Sequence, residues 1–191
     1  DNLWGFTTID ECAQVYNSIL IEKGLPPFKR CTGIQDFYSA DGTIIKRVSD
    51  GAILRNIAFT RNHAVGQGRE HSFLRGLSTQ SIGRGLRPRL YPNGDTVDWG
   101  SDKTRFKGEG SKYRYDKVYN KAKDLLTHRS KRLKLAPQEE VNYYDRLIEY
   151  CQDIGLVREE QSKKAPLLKR HGNLAYYGLC TESDFRPLLG D

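Results

Sequence analysis

The sequence predicts an α+β domain with a central, largely antiparallel sheet and helices packed across one of its faces. Two observations lead to this prediction: strand-like segments are interspersed with amphipathic helices, and they show no regular βαβ alternation. The length of 191 residues and the 37% hydrophobic content suit one globular domain, which we predict over residues 1–191. No stretch approaches the ~20 apolar residues that a membrane helix needs, so no membrane partner is expected.

The first predicted elements are a helix and a hairpin. Residues 7–23 read as a helix because Thr8 and Glu11 form a capping-box pattern. Its apolar side chains recur at helical spacing at Cys12, Val15, Tyr16, Ile19 and Leu20. Residues 43–49 and 51–60 are predicted to pair as a hairpin, with Asp50-Gly51 as the turn.

The remaining elements follow in order along the chain. Residues 69–80 are predicted to form a helix that buries Phe73, Leu74 and Leu77, and residues 83–94 to form a loop. The last predicted elements are two paired strands at 96–100 and 113–121 joined by a polar, mobile segment, a helix at 138–152 and a strand at 156–163.

The positive charge is concentrated in the middle of the chain. Residues 55–134 carry 19 Lys/Arg against 7 Asp/Glu, a net charge of +12, whereas the rest of the chain has a net charge of −5. A localised positive face attracts phosphate backbones, and interleaved aromatic rings can stack on unpaired bases. A solvated basic surface and buried strand aromatics are the alternatives.

The segment Lys117-Val118-Tyr119-Asn120-Lys121 carries the most specific chemistry. On a strand, the first, third and fifth of these side chains share a face, and two ammonium groups would stabilise a phenolate between them. A tyrosine that attacks phosphorus needs such activation. An exposed strand with a packed tyrosine is the alternative.

Two carboxylates are candidate ligands for a hard divalent cation. Asp124 follows the tyrosine segment closely, and Glu160 shares a predicted strand face with Arg158. An ordinary Arg–Glu surface pair is the alternative for Glu160. The four histidines show no HxH or HExxH spacing, and no P-loop or GxSxG motif is present. The four cysteines form no CxxC pair, so we expect a reduced compartment.

Five ordered stretches resemble the gene II/X family of replication initiators from filamentous phages. They are Asp1–Phe6, Gly24–Phe28, Arg55–Asn62, the set of Thr96–Ser101, Lys117–Lys121 and Asp124-Leu125, and Gly155–Glu160 with Leu168-Lys169. The resemblance implies an HUH-endonuclease-like fold and a chain that is the nuclease core of a longer initiator.

The resemblance also implies a reaction. Tyr119 would attack a scissile phosphate and stay joined to the 5′ end, Lys121 would stabilise phosphate or phenolate, and Asp124 and Glu160 would hold Mg²⁺ or Mn²⁺. The freed 3′ hydroxyl would prime rolling-circle replication. The basic residues expected to bind DNA are Arg55, Arg61, Arg84, Arg105, Lys112, Arg114 and Lys117.

The expected partners are single-stranded or supercoiled DNA at a replication origin and the polymerase and helicase of the host, in the host cytoplasm. Two departures from the family pattern bear on activity. Ala58 stands where the family has an acidic or otherwise metal-binding residue, and Glu159 replaces an apolar residue beside Glu160, which leaves the strand register open. The alternatives to a DNA nicking and joining enzyme are therefore a non-catalytic DNA-binding module and a basic RNA-binding or structural domain.

Overall fold

The computed structural model describes residues 8–80, 87–100 and 111–189. The chain forms two compact units, one of residues 1–57 with 164–191 and one of residues 58–163, and each is described separately. The prediction of a single domain over residues 1–191 stays a prediction. Within the described ranges, no helix has the length and apolar character that crossing a membrane requires.

The described helices and strands are the following, in chain order. They are α1 (Ile9–Glu22), β1 (Ile34–Tyr38), β2 (Ile44–Ser49), β3 (Asn56–Ala64), α2 (Glu70–Leu77), β4 (Pro88–Leu90), β5 (Thr96–Trp99), β6 (Arg114–Asn120), α3 (Lys121–Arg132), α4 (Gln138–Asp153), β7 (Leu156–Lys164), α5 (Ala165–Leu168) and a 3-10 helix (Glu182–Leu188).

The N-terminal helix α1 begins where the capping box predicts. The Thr8 hydroxyl accepts the Glu11 N–H at 3.1 Å, and the Glu11 carboxylate accepts the Thr8 N–H at 3.0 Å. The predicted apolar stripe is not a buried face, since Tyr16 and Ile19 are exposed and Ala13 is the buried residue of this helix. The helix prediction is confirmed, and the apolar stripe is only partly buried, at Cys12, Val15 and Leu20.

The predicted hairpin of residues 43–49 with 51–60 is wrong. Strand β2 pairs instead with β1, and the turn between them lies around Asp41-Gly42, where Gly42 has a φ of +81°. Asp50 is not a turn residue, because its carboxylate accepts the backbone N–H groups of Thr32 (2.8 Å) and Gly33 (3.1 Å). Residues 56–64 form β3 of a different sheet.

A five-stranded sheet dominates the second unit, with the strand order β3-β7-β6-β5-β4. The pairs β4–β5, β5–β6 and β6–β7 are antiparallel. The N–H groups of Val65 and Gly66 reach back to the carbonyls of Gly155 and Ile154, so β3 also runs antiparallel to β7. The α+β class with an antiparallel sheet is therefore confirmed and is consistent with an HUH-endonuclease-like fold.

Helices pack on both faces of this sheet, so the expectation of helices on one face is wrong. Leu74 of α2 joins a core cluster with Val97, Trp99, Val118 and Val157. A second cluster joins α3 and α4 to Leu156, the residue of β7 just before Val157. Its other members are Ala122, Leu125, Tyr144, Ile148 and Cys151. Because adjacent strand residues point to opposite faces, Leu156 and Val157 place α2 and the α3–α4 pair on opposite sides.

The other predicted elements of this unit are largely confirmed. The predicted strands at 96–100 and 113–121 pair as β5 and β6, and the later helix and strand correspond to α4 and β7. The predicted second helix is the shorter α2, in which Leu74 is buried while Phe73 is exposed. The predicted loop at 83–94 contains β4, and the predicted mobile segment at 101–110 lies outside the described residues.

Candidate active site

The candidate site lies where β6 ends and α3 begins. In the β6–β7 register, Lys117 is directly opposite Glu160, and Tyr119 is directly opposite Arg158. Lys117 and Tyr119 are two residues apart, so they share one face of the sheet with Arg158 and Glu160. We call this face the Tyr119 face. The predicted pairing of Arg158 and Glu160 on one face is confirmed.

Glu160 connects the two cross-strand neighbours. The Tyr119 hydroxyl donates a hydrogen bond of 2.6 Å to Glu160 Oε1, and the Lys117 ammonium lies 3.2 Å from Glu160 Oε2. Tyr119 is only 5% exposed, so this contact is screened from water. The arrangement places a carboxylate ready to accept the phenol proton.

The expected stabilisation of the phenolate by two lysines is wrong. The ammonium groups of Lys117 and Lys121 lie 4.4 and 5.5 Å from the Tyr119 ring centroid, as the sequence pattern suggests. However, burial and the hydrogen bond to Glu160 raise the pKa of Tyr119 well above its ordinary value. Each ammonium group contacts a carboxylate, and a carboxylate next to the phenol favours its protonated form.

Lys121 reaches the site from a helix rather than from the strand. The Asn120 side chain accepts the Lys123 N–H at 3.1 Å and caps α3, so the strand ends one residue before Lys121. Lys121 is 5% exposed and donates to Asp124 Oδ2 at 2.6 Å. Burial lowers the pKa of Lys121, which the Asp124 carboxylate partly opposes. The prediction that Lys117, Tyr119 and Lys121 lie on one strand is therefore wrong for Lys121.

The two expected metal ligands both border Tyr119. Within the described ranges, no group of three or more His, Cys, Asp or Glu side chains could hold a metal ion. Glu160 contacts Lys117, and Asp124 contacts Lys121. Mg²⁺ in phosphate-transfer sites needs only one or two carboxylates, because water and substrate phosphate supply the other ligands. The expectation that Asp124 and Glu160 hold Mg²⁺ or Mn²⁺ stays a prediction.

The structure separates Glu159 from Glu160. Glu159 points to the opposite face, where its carboxylate contacts His63 Nε2 at 3.2 Å and accepts from Gln161 at 2.7 Å. Glu160 is therefore the carboxylate next to Tyr119.

Ala58 is exposed in β3 and shares a face with Asn62, whose side chain accepts a 3.0 Å hydrogen bond from Arg158. Ala58 therefore lies on the Tyr119 face without a ligand atom.

Of the basic residues expected to bind DNA, only Lys117 is on the Tyr119 face within the described part of the chain. The guanidinium of Arg114, on the opposite face, donates to Asp116. Arg61 alternates with Asn62 and so also faces away from Tyr119, Lys112 is exposed beside the ring of Tyr113, and Arg55 is exposed in the first unit. Arg84 and Arg105 lie outside the described residues, as does the motif at Asp1–Phe6.

A buried ion pair behind the site was missed from the sequence. Lys163 has no exposed surface, and its ammonium lies 3.6 Å from Asp116 Oδ1, an atom with no hydrogen-bond partner among the described residues. The Lys163 ammonium also donates to Gln161 at 2.8 Å. Charged residues at alternate positions of β6 and β7 were the available signal, but such alternation is more typical of an exposed face.

Comparison with known proteins links this geometry to phage replication. The chain is 37% identical, over 194 aligned positions that include all of it, to a replication-associated protein of Escherichia phage If1. It spans 58% of the length of that relative. No protein-family model and no solved structure matches the chain. The similarity to this phage protein confirms, over the whole chain, its resemblance to the gene II replication proteins of filamentous phages.

Proposed function

We propose that this chain nicks and rejoins one strand of DNA at a replication origin and so initiates rolling-circle replication. The observation that carries the proposal is the 2.6 Å hydrogen bond from Tyr119 to Glu160, with Lys117 on the other carboxylate oxygen. Similarity over all of this chain to a phage replication-associated protein supports DNA as the substrate. The net charge of +12 over residues 55–134 supports binding to a polyanion.

In the proposed reaction, the Tyr119 oxygen attacks the scissile phosphorus while Glu160 takes the phenol proton. The bond from phosphorus to the 3′ oxygen breaks, the 3′ oxygen takes a proton from water, and Tyr119 stays joined to the 5′ phosphate. In rejoining, a 3′ hydroxyl attacks the phosphotyrosine and gives its proton to water, the bond from phosphorus to the Tyr119 oxygen breaks, and protonated Glu160 returns the proton to the departing phenol. The phosphotyrosine preserves the ester, so joining needs no ATP.

The basic side chains next to Tyr119 stabilise charge on the phosphate. Lys117 and Lys121 are within 5.5 Å of the Tyr119 ring centroid and balance the carboxylates of Glu160 and Asp124. A bound Mg²⁺ or Mn²⁺, held by those carboxylates, would supply further neutralisation of the phosphate. We also propose that a host polymerase extends the freed 3′ hydroxyl, with a host helicase, in the host cytoplasm.

A covalent adduct tests this function. Labelled single-stranded DNA from the intergenic region of the parent genome is incubated with protein and Mn²⁺ and run on a denaturing gel. The proposal predicts a protein–DNA band that survives SDS and is absent for Tyr119→Phe. Equal bands for the two proteins would exclude Tyr119 as the nucleophile.

A non-catalytic DNA-binding module is the second candidate. It is favoured by the 5% exposure of Tyr119, by the raised pKa of this phenol, and by Ala58 on the Tyr119 face. This function predicts salt-sensitive DNA binding and no adduct with any divalent metal. If Ala58→Asp gains the adduct, the chain is a disabled enzyme, and if it stays inactive, the chain is a binding module.

A further inference from the structure

Three arginines of the second unit differ from most of its cations. The cations that contact carboxylates include Arg89 on Asp98, Arg114 and Lys163 on Asp116, Lys117 on Glu160, Lys121 on Asp124, Lys123 on Asp95 and Arg129 on Asp145. Arg69, Arg75 and Arg87 are exposed, and within the described ranges their side chains have no hydrogen bond or ion pair. Their charge is therefore available to an external anion.

The arginines belong to a segment of unusual composition around α2. Residues 61–89 contain six arginines, no lysine and a single acidic residue, Glu70. Glu70 is buried, with 9% of its surface exposed, so no carboxylate of this segment is exposed beside the arginines. In contrast, the segment that contains Tyr119, residues 112–134, has six lysines and three arginines.

Helix α2 presents Arg69 and Arg75 on the side away from the sheet, and Arg87 directly precedes β4, which contacts α2. Leu74 is fully buried and Leu77 packs on the same cluster, so this stripe faces the core. The helical repeat places Ser72 and Gly76 on the outer side, with Arg69 and Arg75 beside them. All four are exposed. The centre of the outer surface therefore carries small side chains, which let another molecule approach the helix backbone.

This surface suits the major groove of duplex DNA. An α-helix with its side chains is about 10–12 Å across, close to the ~12 Å width of the groove, and the outer side of α2 is exposed. Arginine can donate two hydrogen bonds to guanine O6 and N7, whereas lysine offers a point charge that suits phosphate. A segment whose cations are all arginine therefore fits the reading of bases better than general attraction to phosphate.

We propose that α2 reads the base sequence of duplex DNA through Arg69 and Arg75, with Arg87 contacting a phosphate. Because Leu74 packs on Val118 and Tyr119 is the next strand residue, this surface is on the opposite face of the sheet from Tyr119. The inference rests on the proposed function in taking the origin as the target. It assigns recognition of the duplex and cutting of the strand to different faces.

The test is selection from a library of randomised 20-base-pair duplexes, followed by sequencing of the retained DNA. It compares the wild type, Arg69→Lys and Arg75→Lys, which keep the charge but lose the two-point contact. Lys131→Ala is the matched control, because Lys131 is an exposed cation on α3. Circular dichroism melting checks that each variant is folded.

We expect the wild type to select a motif that contains guanine. Each lysine variant should lose the preference for one guanine by about 5- to 150-fold, while the control keeps the motif. The same motif in the wild type and both lysine variants would overturn the inference, as would a wild type that selects no motif from the duplexes. The adduct assay with Tyr119→Phe tests the proposed function separately. If the wild type forms the adduct but the lysine variants select an unchanged motif, the inference about α2 is overturned and the proposed function stands.

Discussion

Replacing Glu160 by glutamine keeps the size of the side chain beside Tyr119 but removes the proton acceptor. The Tyr119 hydroxyl donates to Glu160 Oε1 at 2.6 Å, and burial raises the pKa of this phenol above its ordinary value of 10. Without a base, the reaction at pH 7 depends on the ionised phenol, a fraction of about 10⁻³ or less. We therefore expect Glu160→Gln to slow adduct formation by about 10³-fold at pH 7, within the usual range for general bases.

The pH dependence makes this prediction specific. In Glu160→Gln the rate should rise about tenfold per pH unit up to pH 10, because hydroxide replaces the lost base. The assay is single-turnover adduct formation between pH 6 and 10 on one labelled oligonucleotide. Glu159→Gln is the matched control, since Glu159 is on the other face with His63 and Gln161. Equal rates for the two variants at pH 7, or a defect that does not change with pH, would refute the role of Glu160.

Two further predictions concern stability and are measured by urea unfolding. Asp116→Ala leaves the ammonium of Lys163 buried without its carboxylate, so it should cost about 3–5 kcal/mol. The half-exposed pair of Asp145 with Arg129 gives the comparison, and Asp145→Ala should cost less than about 1 kcal/mol; equal losses would show that burial of Lys163 does not matter. The folded state raises the pKa of Tyr119, so above pH 10 the unfolded chain loses this proton first. The wild type should then lose about 1.4 kcal/mol per pH unit relative to Tyr119→Phe, with a constant difference below pH 9; parallel curves up to pH 11 would contradict the raised pKa.

The sequence predicted correctly those elements that are decided by residues close together in the chain. The cap of α1 depends on Thr8 and Glu11, three residues apart, and the structure has both hydrogen bonds. The alternation of β7 placed Arg158 and Glu160 on one face, and the register with β6 agrees. These predictions needed no tertiary information, because the deciding contacts are local or follow from strand geometry.

Predictions failed where a distant partner or a competing cap decides the outcome. The predicted turn at Asp50-Gly51 does not form, because the Asp50 carboxylate accepts hydrogen bonds from the backbone of Thr32 and Gly33. The Asn120 cap ended the strand before Lys121, which a strand pattern does not reveal. The pKa direction of Tyr119 depends on burial and on Glu160, which is 41 residues away in the sequence. Sequence spacing shows the two lysines but not the carboxylates that pair with them.

The most direct test of the central claim is the search for a covalent adduct between Tyr119 and DNA. Wild-type protein and Tyr119→Phe are incubated with the same labelled single-stranded DNA and Mn²⁺, and the products are separated under denaturing conditions. The account predicts an SDS-resistant band for the wild type only, and a phosphorylated Tyr119 in the peptide recovered from that band. An adduct of equal yield in Tyr119→Phe, or one recovered on another residue, would contradict it.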